Sequence, residues 1–410
     1  MTTVDPDRSP HPGSPSPQQC GAELLAAANA ASLELRPHLE RDELLAALFA
    51  HELERGERLV VDGVVELLPE GFGFLRFPAH DFAAGAADIY LSPSQVRGLN
   101  LKNGHRVRGP IRGPKGNERF FALLHVDTVN GADPGQARTR LAFAARTPVV
   151  ATRPLALPPS TPLLHAIGQL APWCRGQRAL LRLPSAWPRA STLAELAQAL
   201  TAADARLSVR LGLFDQRPED LAAVQAALAG QPGIEVVSTT FAAAAERHVA
   251  AAELLLAQVQ REVEGGLDVV LLLDSLTALV RQSQLAQPAS GRFLAPGLDA
   301  AAVQLGKRVF ASARACAEGG SLTVLASVLD DRGNDVDARI AAEFAHRGNS
   351  EVVVDPELFR LGVALALDVE ATRTRPEDDG RAPAQRAAGA ALRSELLALP
   401  PAARAARLQV

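Results

Sequence analysis

The sequence predicts a multi-domain chain: a small helical unit, a small β-barrel, and an α/β core built on a parallel sheet. Apolar residues first recur at helical spacing, then give way to short β-rich segments split by Gly, Pro and Asn. Farther along, near-continuous apolar runs alternate with amphipathic helices, the pattern of strands covered on both faces. The chain has 410 residues, 47% hydrophobic and 21% charged. That composition is ordinary for a globular protein, and the length allows about two or three domains.

Residues 1–20 are rich in Pro and Ser and are expected to form a disordered tail. Their start lacks a basic stretch leading into an apolar run, so no signal peptide is expected. Residues 21–57 form the helical unit. Asp42 is positioned to cap its second helix, whose buried face would hold Leu44, Leu45, Leu48 and Phe49. Residues 58–130 contain LVVDGVVELL, GFGFLRF, DIYLS, HRVRGPIR and RFFALLHVDTV, the strands of a barrel of the oligonucleotide-binding type. Residues 131–160 read as a linker. Residues 161–380 form the core, with strands at ALLRL, RLSVRLGLF, IEVVSTTF, DVVLLLDS and SLTVLASVL. A helix is expected to start near Ser191, and AAVQLGKRVFASARACAEGG reads as a single helix. Residues 381–410 form an Ala- and Arg-rich helical tail, loosely attached.

The formal net charge is −4, so any surface for nucleic acid must be local. Lys102, Lys115 and Lys307 are the chain's three lysines. Cys20, Cys174 and Cys316 are odd in number and widely spaced. They fit neither a disulfide framework nor a metal site and suit a reducing cytoplasm. No apolar run reaches the length of a membrane helix.

Strand alternation puts Phe72, Phe74 and Arg76 on one face. Two aromatics and an arginine there make a stacking platform for single-stranded bases, although the same spacing also describes a core strand. Arg97, Lys102, Arg106, Arg108, Arg112, Lys115 and Arg119 face one acid, Glu118, within that stretch. Such a run follows a phosphate backbone or forms a solvated face.

The blocks ELLPEGFGFLR, DIYLSPSQVRGLNLKNG and ERFFALLHVDTVN resemble, in order and spacing, the RNA-binding domain of the Rho family of bacterial transcription termination factors. The resemblance implies a cold-shock-like domain that holds single-stranded, pyrimidine-rich RNA. The residues it assigns are Leu68, Phe72, Phe74, Arg76, Asp88, Tyr90, Glu118 and Phe120. Phe120 stands where the family has a tyrosine.

The resemblance continues through residues 161–375 and implies a RecA-like ATPase core that forms hexamers and uses ATP with Mg²⁺. The family's phosphate loop ends in Gly-Lys-Thr, whose amides, lysine and hydroxyl hold the phosphates and the metal. Here the loop reads Leu183-Pro184-Ser185-Ala186-Trp187-Pro188-Arg189-Ala190. Pro188 lacks an amide donor, Trp187 adds bulk, Arg189 replaces the lysine and Ala190 has no oxygen. Ser191 and Thr192 are expected to cap the helix that follows. Gln216 replaces the glutamate that activates water in the family. Asp274 retains the Walker B carboxylate, Arg217 is retained, and Arg375 falls at the arginine finger. The family's channel loop is matched by Ser290, Gly291 and Arg292. Asp335 stands where a second channel loop carries a lysine, and Ala364 where an aromatic stacks on adenine.

These departures imply a chain with no required cofactor and no metal: an RNA-binding protein that competes with, or co-assembles with, an active Rho. Its implied partners are RNA, copies of itself or an active Rho in a ring, and RNA polymerase, in the cytoplasm and away from membrane. Two alternatives remain: a working RNA-dependent ATPase and helicase, and a structural subunit with a vestigial RNA face.

Overall fold

The computed structural model describes residues 15–16, 21–33, 39–331, 335–363 and 365–408. The expected tail lies outside the described residues except at 15–16, and Ala364 lies outside them too. The chain divides into two compact units, Met1–Arg140 and Leu141–Val410.

The first unit opens with helices Gly21–Ala30 and Arg41–Glu54. Leu44, Leu45, Leu48 and Phe49 are buried as the spacing predicts, each contributing roughly 1.5–3 kcal/mol. Asp42 is not the cap. The helix begins two residues earlier with Glu40 at the N-cap, and Glu43 reaches back to the Glu40 N–H at 2.9 Å. Asp42 instead accepts the Ala86 N–H at 2.9 Å.

The strands Val60–Leu67, Gly73–Arg76, Ile89–Leu91, Arg106–Arg112 and Phe121–Leu123 close into a barrel. Closure depends on Val60–Leu67, which pairs antiparallel with both Gly73–Arg76 and Arg106–Arg112. Gly63 permits this, because a Cβ there would lie 2.9 Å from the Leu75 Cβ. The fifth expected segment is split, with Thr128–Val129 forming a separate short strand on Arg106–Arg112.

The second unit is an α/β core. Its parallel strands run in the order Ile234–Thr240, Ser208–Gln216, Asp268–Asp274, Ser321–Leu329, Arg178–Leu183, Ser350–Val353. The carboxyl ends of these strands bring the 183–190 loop, Gln216, Asp274 and Ser327 to one edge, where ligands bind in such sheets. The segment expected as one long helix is the helix Gln304–Ala311 followed by the strand Arg314–Cys316, which hairpins onto Ser321–Leu329. Gly319 and Gly320, both at positive φ, make that turn. The C-terminal helices Pro383–Ala398 and Pro401–Leu408 are seated rather than loose, with Leu396 and Leu408 buried in the main core. No helix among the described residues is long and apolar enough to cross a membrane.

Candidate functional site

In the barrel, antiparallel pairing sets Phe74 opposite Tyr90. Phe72 lies 5.8 Å from Phe74 and 5.6 Å from Tyr90, measured between ring centroids. Phe120 packs on Phe74 at 4.8 Å. Sequence spacing alone joined Phe72 to Phe74; the fold adds Tyr90 and Phe120 to one cluster. Within it exposure is graded. Phe74 is 7% exposed and forms the floor, Phe72 and Tyr90 are half-buried, and Phe120 is 37% exposed. Leu68 sits at the turn beside Phe72, its N–H donating to the Phe72 carbonyl at 2.9 Å.

Arg76 shares this face but is buried beneath it. Its guanidinium lies 5.1 Å from the Phe74 centroid, donates to Glu66 at 2.7 Å and pairs with Asp88. Burial pushes the Asp88 carboxyl up, and Arg76 opposes that shift. The ion pair therefore supports the rings from behind. Glu118 is exposed and bound by both arms of Arg112, at 2.5 and 2.9 Å. The Arg112 hydrogen bonds, with that of the Lys115 N–H, hold Glu118 at about 2. Arg106 pairs with Asp62. Arg97, Lys102, Arg108, Lys115 and Arg119 remain exposed.

In the core, the helix after the loop starts at Arg189, two residues before Ser191. Ser191 and Thr192 therefore lie inside its first turn and do not cap it; Pro188 is the N-cap residue. Thr192 donates to the Pro188 carbonyl and accepts the Trp187 Nε1–H at 3.0 Å. Trp187 is buried against Phe359, with ring centroids 5.0 Å apart. The loop amides are turned inward: Trp187 donates to the Pro184 carbonyl, Arg189 to the Trp187 carbonyl, and Ser185 to the Asp331 carboxylate.

Asp274 is fully buried. One oxygen accepts Arg189 Nε at 2.9 Å and Ser327 Oγ at 2.6 Å; the other accepts Gln216 Nε2 at 3.0 Å. A β-bulge after Leu213, with Asp215 at φ +62°, carries Gln216 there. In front of the loop lies a cavity of about 500 Å³ lined by Ser185, Arg189, Ser191, Gln216, Arg217 and Asp220, among others. Arg217 pairs with Asp220 at its rim. Ala190 is buried and has no oxygen to offer.

Arg375 is not in this lining; its guanidinium donates to the His346 carbonyl. Ser290 is tied to Asp299 by its N–H and its hydroxyl, at 2.7 and 2.8 Å, which leaves Gly291 and Arg292 exposed. Asp335 begins the helix Asp335–Phe344, while residues 332–334 before it lie outside the described residues. Sequence reasoning missed Ser327 and the Trp187–Phe359 contact. Ser327 was visible only as a hydroxyl inside the apolar run SLTVLASVL.

Residues 61–135 match the family model of the Rho termination factor RNA-binding domain. Transcription termination factor Rho of Chromobacterium violaceum is 38% identical over 362 residues, covering 87% of this chain and 86% of the relative. That of Bacillus subtilis is 39% identical over 343 residues, covering 83% and 79%. Among solved structures, a prototypical ATPase from the type III secretion system of pathogenic bacteria aligns with a TM-score of 0.54 at 20% identity, covering 70% of this chain and 78% of that one. At such identity the likeness speaks for the RecA-like fold alone. With relatives this similar along most of its length, the chain belongs to the Rho family of transcription termination factors.

Proposed function

We propose that this chain is an RNA-binding member of the family that acts on transcription termination without hydrolysing ATP, by competing with an active Rho or joining its rings. The observation that carries this reading is the Asp274 carboxylate, filled from within the chain by Arg189, Gln216 and Ser327. The residues present do not fit ATP with Mg²⁺. A bound metal and phosphate need an open carboxylate, a loop hydroxyl and amides facing the ligand. Here the carboxylate is occupied, position 190 is alanine, and the loop amides of Ser185, Trp187 and Arg189 are spent within the chain. Gln216 cannot accept a proton at neutral pH.

The proposed RNA ligand is single-stranded and pyrimidine-rich. Its bases would stack on Phe72, Tyr90 and Phe120 over Phe74, with Leu68 and the Arg112–Glu118 pair at the edges. Arg76 and Asp88 support the platform. Ser290, Gly291 and Arg292 are proposed as a second RNA contact. Assembly into a homo-oligomer or a mixed ring, contact with RNA polymerase and a cytoplasmic setting belong to the same proposal.

Phosphate release in the presence of poly(C) tests it. The isolated chain should release none above background, and added to an active Rho it should slow that enzyme. Relief by excess poly(C) would indicate competition; persistence would indicate mixed rings. Turnover by the isolated chain comparable to an active Rho would overturn the proposal. A second reading, an RNA-dependent ATPase with an unusual site, draws on the cavity of about 500 Å³ that remains in front of the loop. The same assay separates the two.

A further inference from the structure

The barrel wall beside the ring cluster carries cations that the stacking surface does not use. The strand Val60–Leu67 pairs on both sides, and Val64 is the register partner of both Arg76 and Arg106. At about 4.8 Å per strand, the Arg106 backbone lies about 10 Å from that of Arg76. Asp62 stands opposite Arg108 in the same pairing. Val61, Val65, Val107 and Ile111 belong to the barrel core. Alternation therefore turns Asp62, Glu66, Arg106 and Arg108 outward, onto the wall that also holds Phe74 and Tyr90. At one end of this wall, Asn103 accepts the Leu67 N–H at 2.7 Å. That bond anchors the turn of Lys102 next to Leu68, at the edge of the rings.

The charges on this wall are unevenly matched. Arg106 pairs with Asp62 at 2.7 Å, and Glu66 answers Arg76 at 2.7 Å. Asp127, whose N–H donates to the Arg108 carbonyl at 2.8 Å, lies 3.0 Å from the His125 Nε2. Each acid near the patch thus has a partner of its own. Lys102 and Arg108 are exposed. No ion pair or hydrogen bond engages either side chain among the described residues.

A free guanidinium fork and a free ammonium suit phosphate oxygens. Outward residues two apart on a strand are about 7 Å from one another, so Arg106 and Arg108 form a row that a sugar–phosphate backbone can follow. We propose that single-stranded RNA stacked on the rings continues across this wall, where Lys102 and Arg108 hold its phosphates and Arg106 borders the path. This rests on the RNA reading above and lengthens its site. Contacts of this kind read charge and not bases, so the tract over the wall can have any sequence.

Fluorescence anisotropy of the full chain with labelled oligo(C) of about 4 and about 12 nucleotides tests this. The longer oligonucleotide should bind at least about tenfold tighter. The K102A/R108Q variant should weaken it at least about fivefold, with the shorter one and far-UV circular dichroism unchanged. The slope of log affinity against log salt should become shallower by about 1.4, two phosphate contacts at about 0.7 each. R108E, a single exposed change, should act in the same direction and guards against misfolding of the double variant. Equal weakening of both lengths, or an unchanged salt slope, would overturn the proposal. So would polyglutamate binding that the double variant loses while long-oligonucleotide affinity stays intact, since the wall would then serve an acidic protein. Binding of neither length by the parent chain would sink the RNA reading itself. Binding of both lengths, equally in parent and double variant, would sink the extension alone.

Discussion

Arg189 places its Nε 2.9 Å from the Asp274 carboxylate, at the head of the helix that follows the loop. Asp274 has no solvent exposure, whereas the Arg189 side chain keeps 19%. A buried carboxylate needs a counter-charge and hydrogen bonds to remain ionised. In this chain a guanidinium supplies the charge, with an amide and a hydroxyl completing the set.

Removing the guanidinium should therefore be costly. Arg189→Ala is expected to destabilise the second unit by about 3–5 kcal/mol, the usual penalty for orphaning a buried charge. Adding Asp274→Asn should recover part of the loss, because the charge is then gone. Urea unfolding followed by tryptophan emission measures both, since Trp173 and Trp187 lie in this unit. An unchanged midpoint for Arg189→Ala would show that the pair holds nothing in place.

Gln216→Glu tests the neighbouring contact. The amide donates to Asp274 at 3.0 Å; a glutamate would set a second carboxylate there, and the like-charge repulsion would raise the new side chain's own folded-state pKa. The sign then follows from linkage. The unfolded variant would ionise at lower pH than the folded one, so stability falls as pH rises through the unfolded and then the raised folded values. The variant should be weaker than the parent at pH 7 by about 1–3 kcal/mol, and nearly level with it near pH 4. Equal stability across that range would mean that the side chain swings away from Asp274.

On the barrel, graded exposure separates binding from folding. Phe120 is the most exposed ring of the cluster. Phe120→Ala should lower oligo(C) affinity by roughly five- to 150-fold, since stacking is worth about 1–3 kcal/mol per base, and leave the unfolding midpoint almost unmoved. Arg76→Ala should instead orphan the buried Asp88 and destabilise the barrel by about 3–5 kcal/mol. Fluorescence anisotropy with melting curves on both variants decides the matter. If Phe120→Ala binds normally, the ring cluster is not the base-stacking surface.

Much of this was legible in the sequence because short periodicities report local burial. The Leu44, Leu45, Leu48 and Phe49 face, the first four barrel strands and the apolar core strands followed from spacing. Contacts between distant segments did not. Phe72 and Phe74 are two residues apart, but the arrival of Tyr90 and Phe120 beside them depends on strand pairing. The loop substitutions showed what Leu183–Ala190 lacks. They did not reveal that Arg189 turns back onto Asp274, because that contact spans 85 residues and a sheet. Arg76 looked like a surface cation by alternation alone; Glu66 and Asp88, brought in by pairing, bury it.

The barrel also carries a pH response of its own. His80 is lowered from 6.5 to about 4, by burial first and then by Arg41, with Asp42 partly opposing. Its Nε2 is buried without a hydrogen-bond partner among the described residues, and its ring packs on Phe77 at 6.0 Å. The folded state thus resists protonation while the unfolded chain binds a proton near 6.5. Stability should be full above that value, fall as pH drops from 6.5 to about 4, and level off below. The shift corresponds to about 3 kcal/mol, and the ring's partial exposure reduces the loss assignable to it to about 2 kcal/mol. Amide hydrogen exchange of the barrel strands Val60–Leu67 and Arg106–Arg112 reads the stability of this unit apart from the second. His80→Phe should keep the packing and remove the titration, giving a shallower decline than the parent between pH 6.5 and 4. Carboxylates such as Asp88 titrate equally in both proteins, so the difference belongs to His80. Parallel declines would mean that the imidazole accepts its proton without disturbing the fold.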